Sequence, residues 1–430
     1  MSDAFSYDIV IVGGGLAGGL AGIVLAKRGF HCAIVDAMPP SIAREAKFDG
    51  RTTAISYANA RLFRRCGIWN RSGINGAPIN DILVTDGRAE GRFKDGHVSP
   101  FNLHFDSTEL ESQTPLGWIV ENADLRKSIY AAIDADEKID LIAPAQRTSL
   151  VVGKDKATIL LADGRKLSAP LVLAADGKNS AMRAEVGFKV NRWAYPQVGF
   201  VATIGHEKPH KGVAQEFFLP SGPFAILPMT SRPAAEHTPQ NGPETSIHRS
   251  SLVWTEAAHK EEAFLNLSDA DFLAEINARF GRYLGATHLE GPRFSYPLSF
   301  HLTQSFIAPR VALIGDAART IHPIAGQGFN LAIKDIAALS DVVRDGRDVG
   351  LDIGALTVLE DYQRWRRFDS TMLALGTDAL NRLFSNDQAP IRVMRTVGMG
   401  LVNKINPLRR MLMRQAGADL GRLPVLLQPD

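Results

Sequence analysis

The sequence predicts an α/β protein of two interleaved domains, and three observations predict it. An apolar, β-branched run near the N-terminus opens at once into a glycine-rich turn, and two later apolar runs each end in an aspartate beside a glycine. The stretch between those two later runs carries short strand-like segments in place of alternating strand and helix, the mark of a second, α+β domain. At 430 residues the chain is too long for one simple core. Its 45% hydrophobic and 22% charged residues are ordinary for a globular protein.

The first element is Tyr7-Asp8-Ile9-Val10-Ile11-Val12, a strand of the kind covered on both faces, followed by Gly13-Gly14-Gly15-Leu16-Ala17-Gly18. Gly13 suits a tight turn, Gly15 lets the backbone approach a pyrophosphate, and Gly18 lets a helix pack closely on the strand. Leu16 to Gly29 reads as that helix and His31–Val35 as the next strand, ending at Asp36. Asp36 lies 21 residues after Gly15, the separation at which an acid accepts hydrogen bonds from an adenosine ribose. A free helix N-terminus suits the phosphates. This unit predicts dinucleotide binding and leaves open which dinucleotide. From Ile9 to Ala26 there are 18 uncharged residues, but six glycines and the lack of a preceding Lys or Arg fit a buried βαβ unit better than a membrane span or signal peptide.

The second element is Leu171–Ala175 ending in Asp176-Gly177, then Lys178-Asn179-Ser180 and Arg183; the third is Val311–Ile314 ending in Gly315-Asp316. Carboxylates at strand ends of an open α/β sheet point into the ligand crevice. Asp316 is expected on the ribityl chain of a flavin, and Asp176 as a brace for loops around the pyrophosphate. After Asp316 come His322-Pro323, Gly326-Gln327-Gly328-Phe329-Asn330 and a helical pattern, so a glycine loop again opens a helix. Pro323, Gly326, Gly328, Phe329 and Asn330 are expected at the flavin ring, with backbone N–H groups from Gly328 to Asn330 facing its N1–C2=O edge. His322 is a candidate base, set against a structural histidine in a packed loop.

The order GxGxxG, DGxxSxxR, GDAA over some 300 residues resembles the group A flavoprotein monooxygenases, which have the p-hydroxybenzoate hydroxylase fold. Phe48-Asp49-Gly50-Arg51-Thr52-Thr53-Ala54-Ile55-Ser56, HPIAGQGFNLAIKD, Glu121–Arg126, Ser251–Glu256 and Leu383–Asp387 are similar to the ubiquinone-biosynthesis hydroxylases within that group. The resemblance implies FAD as cofactor, O2 as co-substrate, and NAD(P)H or a separate donor as reductant. It implies hydroxylation of a polyprenylated phenol or quinol through a flavin C4a-hydroperoxide. It also places Arg51 over the cofactor and Asn122 at its ribityl–phosphate region.

Motifs at the start, middle and end require a discontinuous Rossmann-like FAD-binding domain, set at residues 1–76, 105–189 and 301–360. A mixed-sheet substrate domain is set at 77–104 and 190–300, and a C-terminal helical region at 361–430. Strand-like runs at 198–204, 214–218, 224–229 and 251–254 are expected to cover the flavin, with Phe224–Pro228 as pocket lining or sheet core. The polar run Ser231–Ser250 reads as a loop between two of those strands.

The formal charge of +2 argues against nucleic acid, but residues 391–430 carry +5 and the rest −3. Arg392, Arg395, Lys404, Arg409, Arg410, Arg414 and Arg422 alternate there with Val393, Met394, Val397, Met399, Leu401, Val402, Leu408, Met411 and Leu412. Such a tail suits a membrane surface, another protein of the same pathway, or a helix folded back on the FAD domain. A cytoplasmic protein peripheral to the inner face of the cell membrane is expected. Cys32 and Cys66, without a CxxC partner, fit a reduced compartment, and no metal-ligand pattern is visible. A halogenase of this fold would carry WxWxIP, which is missing. A nicotinamide dehydrogenase would not need GDAA and GQGFN; the alternatives left are another flavoprotein monooxygenase acting on a small aromatic substrate and a non-catalytic prenyl-lipid binder on the same fold.

Overall fold

The Ile9–Val12 strand is buried at every position because it lies inside a six-stranded sheet. The computed structural model describes residues 5–69, 74, 76–86, 102–110, 114–233, 246–385, 398 and 400–429. Leu171–Ala174 and Cys32–Val35 flank the first strand, both parallel to it. Val311–Leu313 and Ile139–Ile142 lie outside them, also parallel, and Ile307–Ala308 closes one edge antiparallel. Ile159, Leu161 and Leu167 of a separate four-stranded sheet share the core of these strands with the side chains of covering helices, which is why the strands are apolar without alternation. The principal helices are α1 (Leu16–Lys27) and, packed on it, α2 (Asn122–Asp134). A four-stranded meander, Phe5–Ser6, Lys166–Ala169, Ala157–Leu161 and Arg147–Val152, adjoins this half and had no counterpart in the sequence reading.

A nine-stranded, mostly antiparallel sheet forms the second half. Its centre is Val190–His206, Ser246–Ala257, Gly222–Pro233 and Val213–Leu219 in spatial order, longer than the expected runs because the ladders continue past the apolar positions. Residues 234–245 of the polar run lie outside the described residues; its two ends belong to the paired strands Gly222–Pro233 and Ser246–Ala257. Period-two alternation divides the sheet's two faces. The outer face sends Phe200, Phe217, Phe224 and Trp254 against Phe272, Ile276 and Phe280 on α3 (Asp269–Phe280). On the inner face Ala214 and Met229 meet Tyr57, Ile79 and Ile119 of the nucleotide half. Phe224 is therefore sheet core. The chain crosses between halves near Asn80: Ala77–Ile79 pairs with Gly117–Glu121, whereas Asp81–Asp86 and Leu103–Asp106 join the large sheet.

Two long helices, α4 (Gln327–Asp348) and α5 (Leu356–Phe384), pack on each other, and α5 runs through position 361. Beyond them α6 (Asn406–Ala416) buries Met413 in the inner core, and its Arg409 grips Glu109 at 2.7 and 3.0 Å. The chain then returns to the nucleotide half. Ala58 N–H donates to Gly417 O, Tyr57 and Arg61 hold Asp419, Arg61 reaches Leu427 O, and Leu427 is fully buried. Arg392, Val393, Met394, Arg395, Val397 and Met399 lie outside the described residues. Among the described residues, no helix is long and apolar enough to cross a membrane.

Candidate active site

Four strand ends meet along one edge of the parallel sheet. Val311–Leu313, Leu171–Ala174, Ile9–Val12 and Cys32–Val35 lie side by side in that order. They deliver, in the same order, Gly315-Asp316, Asp176-Gly177, Gly13–Gly15 and Asp36. Parallel register makes this one crevice from residues some 300 positions apart.

The glycine turn divides its labour. Gly13 has φ +106°, and a Cβ there would lie 2.4 Å from Ala175 O; one on Gly18 would lie 1.8 Å from Gly13 O. At Gly15 a Cβ would meet nothing within 4 Å, so this backbone faces open space at the start of α1, where no side chain caps the helix. Asp36 accepts from the N–H of Gly14 and, at 2.7 Å, from that of Met38. It borders a cleft of about 150 Å³ lined also by Gly15, Ile42, Arg126 and Tyr130. The exposed Arg51 bonds Asp49 at 2.6 Å, and Arg126 reaches the same carboxylate at 3.4 Å, which sets the 49–51 segment at the rim of this cleft. Asn122 N–H donates to Arg51 O, and its Oδ1 accepts from Thr53 Oγ1 at 2.6 Å.

Asp176 accepts from Met182 N–H at 3.0 Å, which braces the turn into the following helix; its other oxygen is buried without a partner. Arg183 donates to Lys178 O at 2.8 Å and Ala317 O at 2.9 Å, tying the second motif to the third. His301 Nε2 lies 3.1 Å from Arg183 Nη1 and 3.0 Å from Asp316 O, and one ring nitrogen serves one of them at a time. Burial, then the adjacent Arg183, pull His301 down to about 4, so it is neutral at physiological pH. Asp316 itself is exposed to solvent yet walled in by protein, as a side chain lining a narrow cleft is. Burial raises its carboxyl above the usual range, against the opposing pull of Arg319 and Lys178.

Behind Asp316, Asp335 is wholly buried between Arg319 at 2.8 Å and Arg366 at 3.0 Å, and accepts from Gly315 N–H at 3.1 Å. Nothing local in the sequence pointed to His301 or to this ion cluster. Both depend on elements far apart in the chain.

The 323–330 loop turns into α4 through Gly326, at φ +60° and without a side-chain cap, where a Cβ would crowd Ala54 at 3.1 Å. Pro323 O accepts from Gly326 N–H at 3.0 Å. In a helix start the N–H groups of Gly328 and Phe329 have no intrahelical partner, and a Cβ on Gly328 would meet nothing within 4 Å. Asn330 has a different task from the one its position suggested. Its Oδ1 accepts from Ser56 N–H and Asn59 Nδ2, and its Nδ2 donates to Ala54 O and Gly326 O. As the fourth helical residue its own N–H falls within the α-helical ladder. His322 is fully buried, edge-on to Tyr195 at 5.2 Å, with neither ring nitrogen partnered. Burial pulls it down to about 4, and it is neutral at pH 7.

An open glycine backbone at an uncapped helix start, an acid bordering the cleft beside it and a second acid lining the crevice fit an extended flavin dinucleotide. The fold and this crevice define a FAD-dependent monooxygenase. The family described as FAD binding domain matches residues 6–343, and one described as squalene epoxidase matches residues 298–404. Over its length the chain is 40% identical to the ubiquinone hydroxylase UbiL of Rhodospirillum rubrum, covering 96% of this chain and 90% of that one. It is 31% identical to the 3-demethoxyubiquinol 3-hydroxylase of Escherichia coli, covering 95% and 98%. The fold is that of p-nitrophenol 4-monooxygenase PnpA from Pseudomonas putida DLL-E4, with TM-score 0.74, 16% identity and 97% and 100% of the two chains covered. It is also that of Klebsiella pneumoniae HpxO complexed with FAD and uric acid, with TM-score 0.69, 17% identity and 96% and 97% covered. The chain belongs to the FAD-binding monooxygenase family and, within it, to the ubiquinone hydroxylases.

Proposed function

We propose that this protein hydroxylates the ring of a polyprenylated phenol or quinol on the way to ubiquinone. The observation that carries this reading is the four-motif crevice under an antiparallel sheet, in a chain 40% identical to a ubiquinone hydroxylase along almost its whole length. Bound FAD supplies the activation of O2, with NAD(P)H or another donor as reductant.

The chain's own residues do the rest. Gly15 and the start of α1 take the pyrophosphate, Asp36 the adenosine ribose and Asp316 the ribityl hydroxyls. Arg51 and Asn122 close over the cofactor from the rim. The N–H groups of Gly328 and Phe329 stabilise negative charge on the flavin edge, and Pro323 and Gly326 shape the loop that presents them. Asn330 keeps that loop in place. The large sheet excludes water above it. In a strain stripped of its ubiquinone ring hydroxylases, expressing this chain should restore a hydroxylated quinone. A folded, flavin-loaded protein that restores none would sink the proposal.

We infer further that the tail meets the membrane in which such a substrate dissolves. Leu401, Ile405 and Met411 are exposed beside the exposed Lys404, Arg410 and Arg414, a mixture suited to an anionic lipid surface. Because residues 413–427 are packed into the fold, the test is charge reversal at Lys404, Arg410 and Arg414, not truncation. Loss of flotation with anionic vesicles is expected; unchanged flotation would refute it.

A further inference from the structure

Neither the cofactor crevice nor the 323–330 loop contains an acid–base group aimed at a substrate, since His322 is enclosed and Asp316 belongs to the cofactor. The inner face of the large sheet supplies one. Along Val213–Leu219, Phe217 faces the outer core against Phe224, so alternation sends Glu216 to the inner face, between Ala214 and Phe218. Its direct neighbours across the ladders are Ala225 on one side and Val84 on the other. Around it Leu227, Val253, Leu103 and Phe105 keep some accessible surface, whereas Phe224, Ile226, Leu252 and Trp254, on the outer face of the strands that carry Leu227 and Val253, are buried. A gap lined by apolar side chains therefore separates the middle of this face from the nucleotide half. Phe218, stacked on Phe384 at 3.9 Å, walls one end.

The flavin loop borders the same gap. Asn330 holds Ala54, and in the same strand Thr52 donates to Ser251 on the inner face at 2.9 Å. Ser251 pairs with Leu227, which puts Glu216 two strands across and two residues along, about 12 Å away by sheet spacing. Burial alone pushes the Glu216 carboxyl up to about 7. No charged neighbour contributes among the described residues; Arg249, farther along this face, is matched by Glu121 and Glu290.

We propose that Glu216 is the acid–base residue of the hydroxylation, accepting the proton of the substrate's ring hydroxyl inside this gap. This rests on the aromatic hydroxylation proposed above. The O–H bond breaks, the proton joins a Glu216 oxygen, and the electron pair left on the ring oxygen passes through the ring to the carbon that attacks the activated oxygen. As the C–O bond forms the O–O bond breaks; the carbon's own proton then goes to the oxygen left behind, which departs as water, the ring regains aromaticity, and the carboxyl returns its proton to the ring oxygen. Glu216 thus ends the cycle as it began; the oxygen atom and the two electrons come from O2 and the reductant. A carboxyl poised near neutrality is better matched to this exchange than an ordinary one.

The test compares flavin-loaded wild-type protein with Glu216→Gln and Glu216→Asp, using a prenylated phenol as substrate. Wild type should show an acidic limb in kcat near pH 7 and a protonated-carboxyl infrared band titrating there. Glu216→Gln should lose both limb and band, with kcat lowered by roughly 10²- to 10⁴-fold at unchanged flavin content and melting temperature no lower than wild type. Glu216→Asp should recover part of the rate. Wild-type kcat and pH profile in a folded Glu216→Gln protein would overturn the assignment, as would loss of rate with the limb retained. A wild-type protein that hydroxylates no phenol would instead overturn the reading on which it rests.

Discussion

Two alanine substitutions one helical turn apart should separate what the glycine turn does for the fold from what it does for the cofactor. In Gly18→Ala the new Cβ falls 1.8 Å from Gly13 O and 2.9 Å from Gly13 C, backbone atoms of the same turn that cannot yield without moving the strand. Overpacking of this kind costs about 1–3 kcal/mol, and contact with backbone puts it at the upper end. In Gly15→Ala the Cβ meets nothing within 4 Å, and φ is an ordinary −65°. The expected loss is about 0.5–1 kcal/mol, that of alanine replacing glycine at a helix N-cap. The methyl does, however, occupy the approach to the free N–H groups at the start of α1. Each charge-assisted hydrogen bond lost there is worth about 1.5–3 kcal/mol, a weakening of roughly 10- to 100-fold in FAD affinity. Thermal melts of the apoprotein and titrations of FAD fluorescence read the two quantities separately. Gly18→Ala should lower the melting temperature; Gly15→Ala should leave it nearly unchanged while FAD affinity falls by that factor. FAD affinity intact in Gly15→Ala, or a melting temperature lowered as far as in Gly18→Ala, would refute the division of labour.

Asn330→Ala removes four side-chain hydrogen bonds and should cost about 2–4 kcal/mol, with faster loss of FAD on dilution. Asp335→Asn leaves Arg319 buried without its counter-ion and Arg366 with only Asp369, 3.1 Å away, and urea unfolding should show a loss of about 3–5 kcal/mol. His206 is held neutral, its Nδ1–H donating to Lys208 O while Nε2 accepts from Ser250, and burial pulls it from 6.5 to about 4. Its folded value lies below its unfolded one, so its stabilisation is whole above pH 6.5 and is lost as pH falls toward 4, by at most about 3 kcal/mol. In His206→Gln the melting temperature should depend less steeply on pH across that window.

The parts of the site that were legible in the sequence are those whose chemistry is local. Ile9–Val12, Gly13, Gly15, Gly18 and Asp36 lie within one strand–helix–strand unit, and Asp176 and Asp316 each end their own apolar strand. What escaped depends on register between distant elements. Glu216 is only a lone acid in an apolar strand until pairing with Val84 and Ala225 decides which face it takes. Asp335 looks like a solvated helix residue until Arg319 and Arg366 arrive from two other elements. The basic tail held three readings because composition shows an amphipathic segment but not that Gly417, Asp419 and Leu427 dock on Tyr57, Ala58 and Arg61.

The interleaving of the parallel sheet also has a consequence in time. Ile9–Val12 leaves the ribosome first, yet its neighbour Leu171–Ala174 emerges about 160 residues later and Val311–Leu313 about 300 residues later. At roughly 5–20 residues per second, about 15–60 s pass before the last of these can join the sheet. Through that interval a strand of alternating isoleucine and valine has an incomplete set of partners, which makes the nascent chain a client for holding chaperones. Supplying FAD early in synthesis should do little to help it, because the crevice that binds FAD does not exist until most of the protein has been made.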